Sequence, residues 1–181
     1  MTDFVPLDWY SLDRRVSANF VISADGRYKD SNGSSRGISS EIDRLHLIHL
    51  RRQCDALVTD GETARLEGYK PNENRTTYVF SRKDVALGLV RLDAARDLKF
   101  EAIFEQLCTD HRAVLLETGP TLLSKALALD LVDTLFLSIT QSGGSLKPGL
   151  EHAEELLGDL GQLEHSVTIE DTTLVRFAAR R

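Results

Sequence analysis

The chain has 181 residues, 41% of them hydrophobic and 28% charged, with a formal net charge of −6. That length suits one domain, 1–181, with a sizeable core, and the acidic balance leaves no basic field to grip a nucleic-acid backbone, although local arginines could hold one small phosphorylated molecule. No run reaches the ~18 apolar residues of a membrane span, and the acid-bearing stretch 1–9 lacks the apolar core of a secretory signal, so a cytoplasmic domain without a membrane partner is expected.

Apolar and β-branched residues from Arg15 to Ile22 predict a strand, and Ser23, Ala24, Asp25 and Gly26 supply the polar turn that ends it. Ser39 or Ser40 then offers an N-cap, with Glu41 and Asp43 in the first turn and the basic pair Arg51-Arg52 at the end. Ile42, Leu45 and Ile48, with Leu47 beside them, recur at helical spacing, so that face is expected on a sheet.

Ala56 to Thr59 reads as a buried strand closed by an Asp-Gly turn, and Thr76 to Phe80 as another, ending at Ser81, Arg82 and Lys83. A helix is expected from about Lys99 to His111, a central strand from Ala113 to Leu116, and a helix after Gly119-Pro120 running to about Leu129. Leu131 to Thr140 reads as a strand, 151–157 as a short helix, and 165–169 with 173–179 as a terminal hairpin turning at Glu170, Asp171 and Thr172. Alternating strands and helices imply an α/β fold with a mostly parallel sheet and an antiparallel hairpin at its end.

Cys54 and Cys108 have no metal spacing and read as buried free thiols. His46 and His49 share a helix face, but no carboxylate or cysteine motif completes a site, so no metal is expected.

Two strand-to-helix turns could hold phosphate, because the first turn of a helix presents unpaired amides and a positive dipole end. At Glu117 to Leu122 (ETGPTL) glycine permits close approach and the Thr121 and Leu122 amides could face a pyrophosphate; a tight turn with a Pro start is the plainer alternative. The Gly-x-Gly-x-x-Gly fingerprint is absent. Asp25 and Glu117 would stand near the C-terminal edge of adjacent strands, where open α/β sheets bind ligands, although Asp25-Gly26 also reads as a simple turn.

The combination of Asn19 to Arg27 (NFVISADGR), Ile38-Ser39 with Asp43 and Leu50-Arg51, Asp55 to Thr63 (DALVTDGET), Glu117 to Leu122, and Leu131 to Leu135 (LVDTL) resembles, in order, the reductase domain of the riboflavin deaminase-reductase family. The resemblance implies a dihydrofolate-reductase-like fold that binds NADPH and transfers hydride to the ring-opened ribose of an aminopyrimidine ribosyl phosphate, giving a ribityl chain. It matches Val21, Gly37, Thr63, Glu67, Ser81, Gly119, Pro120, Thr121 and Leu122 to cofactor contacts, and Ser35, Arg51 and Glu117 to substrate contacts. Arg75 matches a phosphate-binding arginine. Arg82 and Lys83, after a strand, offer cations for a 2'-phosphate, and Glu117 and Asp25 are the candidate catalytic acids.

The sequence also departs from the family: Asn19 stands where many bacterial members carry Lys, Gly37 where Trp is usual, Glu67 for Asp and Thr118 for Gly. The zinc deaminase motif that often accompanies this reductase does not occur. A same-scaffold reductase of a pterin or carbonyl compound, or a nucleotide-binding protein without turnover, are the alternatives. Members of the family are dimers, and Leu135 to Leu137 with the final hairpin would offer sheet edges to cover.

Overall fold

The computed structural model describes residues 11–93 and 100–179. The first strand, β1 (Val16–Ser23), alternates side chains between two faces, as any strand must: Val16, Ala18, Phe20 and Ile22 enter one hydrophobic core, while Ser17, Asn19 and Val21 face the other way. A single 3-10 turn at Ser35–Gly37 leads into α1 (Glu41–Arg51), which starts on Ser40, whose Oγ accepts the Asp43 amide at 3.1 Å.

Next come β2 (Ala56–Asp60), α2 (Gly61–Leu66), β3 (Thr76–Phe80), β4 (Val90–Leu92), α3 (Phe100–Asp110), β5 (Val114–Leu116), α4 (Pro120–Ala128), β6 (Thr134–Thr140), α5 (Lys147–Leu157), β7 (Gln162–Ile169) and β8 (Thr172–Ala178). The strands form one sheet in the order β4-β3-β2-β5-β1-β6-β8-β7. From β4 to β6 every pairing is parallel, and β8 and β7 add to β6 in antiparallel fashion. This is a dihydrofolate-reductase-like arrangement: a mostly parallel sheet flanked by helices, with an antiparallel hairpin at its C-terminal end.

Phe100, Phe104, Leu107, Leu123, Ala126, Ala153 and Leu157 of α3, α4 and α5 pack on one face of the sheet in the larger core. On the opposite face, Leu50 of α1 joins Leu57, Leu115, Phe136 and Leu174. The stripe α1 buries is not the apolar one its sequence suggests: Asp43, His46 and Leu50 are buried, whereas Leu45 is 49% exposed. The helix sits over Phe136, whose ring meets His46 edge-on at 5.5 Å.

Further differences are local. The Asp60-Gly61 step begins α2 instead of a turn, and β4 is a three-residue edge strand without a buried face. β6 is flanked on both sides by β1 and β8, so Leu135 to Leu137 offers no edge; the free edges of the sheet are β4 and β7. The expected helix start at Lys99 lies outside the described residues. Among the described residues, no helix is long and apolar enough to cross a membrane, and no His, Cys, Asp and Glu cluster is suited to a metal ion.

Candidate active site

The C-terminal ends of β1, β2, β3 and β5 open into a cleft of about 620 Å³, a volume within the range of small-molecule sites. Parallel strands leave their carboxyl ends on one side of the sheet, and helices begin there, so amide dipoles converge on the same space. At one end of the cleft α4 starts at Gly119 with Pro120 in its first turn, and Pro120, Thr121, Leu122 and Lys125 line the wall. The first-turn amides of Thr121 and Leu122 have no acceptor within a helix of this register, which suits them to an anion.

Asp60 fixes that end. Its Oδ1 accepts the amides of Glu62 (2.9 Å) and Thr63 (2.8 Å), and its Oδ2 accepts Thr63 Oγ1 (2.8 Å), Thr118 Oγ1 (2.5 Å) and the Gly119 amide (2.7 Å). One carboxylate thereby caps α2 and anchors the turn into α4. Burial alone would raise the Asp60 carboxyl, but the hydroxyl of Thr118 and the other donors outweigh it and hold it below its ordinary value. Gly119 spends its amide on Asp60, leaving Thr121 and Leu122 for a ligand.

At the other end, β5 delivers Glu117, 5% exposed, directly after its last residue. Arg51 of α1 grips it with Nε 2.8 Å from Oε1 and Nη2 2.5 Å from Oε2. The Tyr69 hydroxyl donates to Glu117 Oε2 and accepts Arg51 Nη2 at 2.9 Å. Burial opposes the Arg51 charge, yet the hydrogen bonds and charge of Glu117 more than offset it and keep the guanidinium protonated. Burial, reinforced by the Glu117 charge, pushes the Tyr69 phenol well above its ordinary value.

The rim is a third cluster. Glu67, at the end of α2, accepts Ser34 Oγ (2.9 Å), the Ser35 amide (2.8 Å) and Ser35 Oγ (3.0 Å), and pairs with Arg36 at 3.1 Å. Those bonds staple the loop before α1 to α2 across the cleft mouth. Burial raises the Glu67 carboxyl, but these donors prevail and lower it.

Of the residues singled out from sequence, Val21, Ser35, Arg51, Thr63, Glu67, Glu117, Gly119, Pro120, Thr121 and Leu122 line this one cleft. Asp25 stands outside its lining, 57% exposed in its side chain and paired with Arg27 at 2.9 Å. Gly37 also lies outside; a Cβ there would come within 2.5 Å of Asp30. Arg75 donates Nη1 to the Arg51 carbonyl at 3.2 Å, bracing the C-terminal end of α1 from behind the site. Ser81 is buried and exchanges hydrogen bonds with the Lys83 backbone, while Arg82 and Lys83 are exposed beside Phe80, which does line the cleft.

The sequence gives Asp60 no role beyond an Asp-Gly turn and the match over Asp55 to Thr63, gives Asp43 none beyond a first-turn acid and part of the first-helix match, and does not single out Tyr69. Asp60 carried a usable signal, an acid directly before Gly61, Glu62 and Thr63 in the manner of an N-cap. Tyr69 carried none, because its role depends on a partner 48 residues away.

The profile of the RibD C-terminal domain family matches residues 14–142. The chain belongs to that family. Solved structures agree on the fold at low identity. A pyrimidine reductase-like protein of Corynebacterium diphtheriae superposes with a TM-score of 0.70 at 19% identity, covering 98% of this chain and 96% of that one. A diaminohydroxyphosphoribosylaminopyrimidine deaminase/5-amino-6-(5-phosphoribosylamino)uracil reductase of Thermotoga maritima gives 0.67 at 18% identity, covering 92% of this chain and 56% of that one, so the present chain spans little more than half of that relative. Dihydrofolate reductase from Enterococcus faecalis, complexed with NADP(H), gives 0.60 at 14% identity over 91% of this chain and 95% of that one. No curated protein sequence matches the chain.

Proposed function

We propose that this protein is an NADPH-dependent reductase that converts the ribosyl group of a 5-amino-6-ribosylaminopyrimidine phosphate to ribityl, a step of riboflavin biosynthesis. The observation that carries this reading is the single cleft that joins the open first turn of α4 at one end to the Arg51–Glu117 pair at the other. The Thr121 and Leu122 amides with Lys125 fit the cofactor's diphosphate, and Thr63 and Glu67 lie along the same wall. When bound, the cofactor supplies hydride. Arg82 and Lys83 follow β3 and are exposed, and on this reading they meet the cofactor's 2'-phosphate. At the substrate end, Ser35 and the Arg51–Glu117–Tyr69 group present a fixed set of donors and acceptors to a polar pyrimidine. Preorganised groups of this kind orient a substrate without rearranging at the moment of reaction.

Family membership and the activities named for the structural relatives support the same reading. Titration with NADPH and NADH, followed by an assay of aminopyrimidine ribosyl phosphate reduction, tests it. NADPH binds at least tenfold tighter and turnover follows; equal affinities, or cofactor binding without turnover of the pyrimidine, reject it. We also propose that the protein is a homodimer, with the free β7 edge, where Leu163 is 46% exposed, as the region in need of cover. A light-scattering mass of one chain across a wide concentration range rejects the dimer.

A further inference from the structure

Asn19 Oδ1 is buried at the substrate end of the cleft without a hydrogen-bond partner among the described residues, and the same end holds the buried carboxyl of Asp43, with the Ser39 and Ser138 hydroxyls against it. Asn19 and Asp43 both line the cleft. The register explains their meeting. Asn19 and Val21 of β1 lie beside Phe136 and Ser138 of β6, so all four point to the face covered by α1. Ala18 pairs with Leu116, so the next residues along, Asn19 and Glu117, fall side by side. Asp43 descends on this group from the first turn of α1, in the stripe it shares with His46 and Leu50.

Leaving a buried acceptor unmatched costs about 1–3 kcal/mol, so Asn19 Oδ1, on the cleft wall with the buried acid Asp43, marks a surface built for a partner that is not part of the chain. Of these two residues, Asp43 is the one that can change its protonation. We propose that Asp43 is the general acid of this site, its carboxyl group donating the proton that reduction requires while Asn19 holds the substrate against it.

This assignment rests on the reductase reading. In the ring-opened ribosyl form, the carbon–nitrogen double bond accepts hydride at carbon, its π electron pair moves to nitrogen, and nitrogen must take one proton. The Asp43 carboxyl gives that proton, becomes carboxylate, and regains a proton from water once product leaves. The surroundings favour a neutral acid between turnovers. Burial raises the carboxyl above its ordinary value; the Ser138 hydroxyl and Ser39 Oγ, which donates to Oδ2 at 2.5 Å, oppose this without cancelling it. From β5, the charge of Glu117 raises it further. From β1 comes the neutral Asn19, and from β8 Thr172, which reaches the helix cap by donating to Ser40 Oγ at 2.8 Å. Asp25, the other acid considered, lies outside the cleft lining and is held ionised, chiefly by Ser23, so it is poorly placed to donate a proton.

The test uses the full chain. Wild type and Asp43→Asn are compared for NADPH affinity and for single-turnover reduction across pH, and the Asp43 carboxyl of the wild type is titrated by carbon-13 NMR. We expect unchanged NADPH affinity and a reduction rate on the order of 100-fold lower in the variant. The wild-type rate falls as pH rises through the Asp43 pKa, the variant loses that limb, and the carboxyl titrates above an ordinary aspartate. A carboxyl that titrates as an ordinary surface aspartate overturns the assignment even if the variant folds poorly. A variant that reduces at the wild-type rate with the same pH profile also overturns it, and the reductase reading then stands. A wild type that binds NADPH but leaves the pyrimidine unreduced overturns both.

Discussion

Arg51 and Glu117, 66 residues apart in the chain, close a two-pronged ion pair between the last turn of α1 and the end of β5. Sequence alone suggests that neutralising Glu117 would slow turnover and leave melting unchanged. The pairing revises that expectation, because Glu117→Gln strands a guanidinium whose side chain is only 28% exposed. Breaking such a pair from one side costs about 3 kcal/mol. Urea unfolding of the variant should show a loss of that size together with reduced turnover; wild-type stability would mean that the pair contributes nothing to folding.

Asp60 gives a pH-dependent prediction. Its folded pKa lies below the ordinary 3.8, so its stabilisation is complete above that value and is lost as pH falls through the folded pKa. Asp60→Asn presents an amide nitrogen where three donors need an acceptor, and should cost about 2 kcal/mol at neutral pH. The gap between wild type and variant should then narrow as the pH is lowered below 4. Parallel stability curves down to acid conditions would show that Asp60 does not carry this dependence.

Arg82 and Lys83 should matter for one cofactor and not for the other. Replacing both with serine removes the cations proposed to meet a 2'-phosphate, and a single charge-assisted bond of about 1.4 kcal/mol corresponds to tenfold in affinity. NADPH should bind about tenfold more weakly to the variant while NADH binding stays constant. An equal effect on both nucleotides would place the 2'-phosphate elsewhere.

Cys54 should be inert. Burial, assisted by the Glu117 charge, pushes its thiol up to about 11, so at pH 8 very little thiolate is present and the sulfur is covered. A disulfide reagent should modify it only at the rate of unfolding, and a fast reaction in native buffer would show that the α1–β2 junction opens readily.

Much of this architecture could be read from the sequence. β3 keeps its expected ends, and β1, β5 and β8 shift by only a residue or so, because buried β-branched runs have few other uses. α2 and β4 could not be read: the first is six residues behind an Asp-Gly step that looks like a turn, and the second is exposed at the edge, where no buried face imposes a period. The site was legible where a local motif carries it, as at Gly119 to Leu122. Asp43 was not, since a polar residue on a helix reads as solvent-facing until its rotation over Phe136 is known. Tyr69 and the Asp60 contacts at Thr118 and Gly119 join segments 48 to 59 residues apart, and no local pattern encodes such pairings.

The position of β5 between β2 and β1 has a consequence for how the protein comes into being. β1 emerges first, yet both of its neighbours, β5 and β6, begin roughly a hundred residues later, at Val114 and Thr134. Until Val114 to Leu116 slot in, β1 has no strand beside it, and α1 has no Glu117 for Arg51. Contacts that distant in sequence slow folding, because the entropy of closing a long loop is lost before any pairing compensates for it. The cleft is therefore among the last features to form, and a nascent chain released before Thr140 would lack β6, the strand that completes the pairing of β1, and would expose β1 to association with other chains.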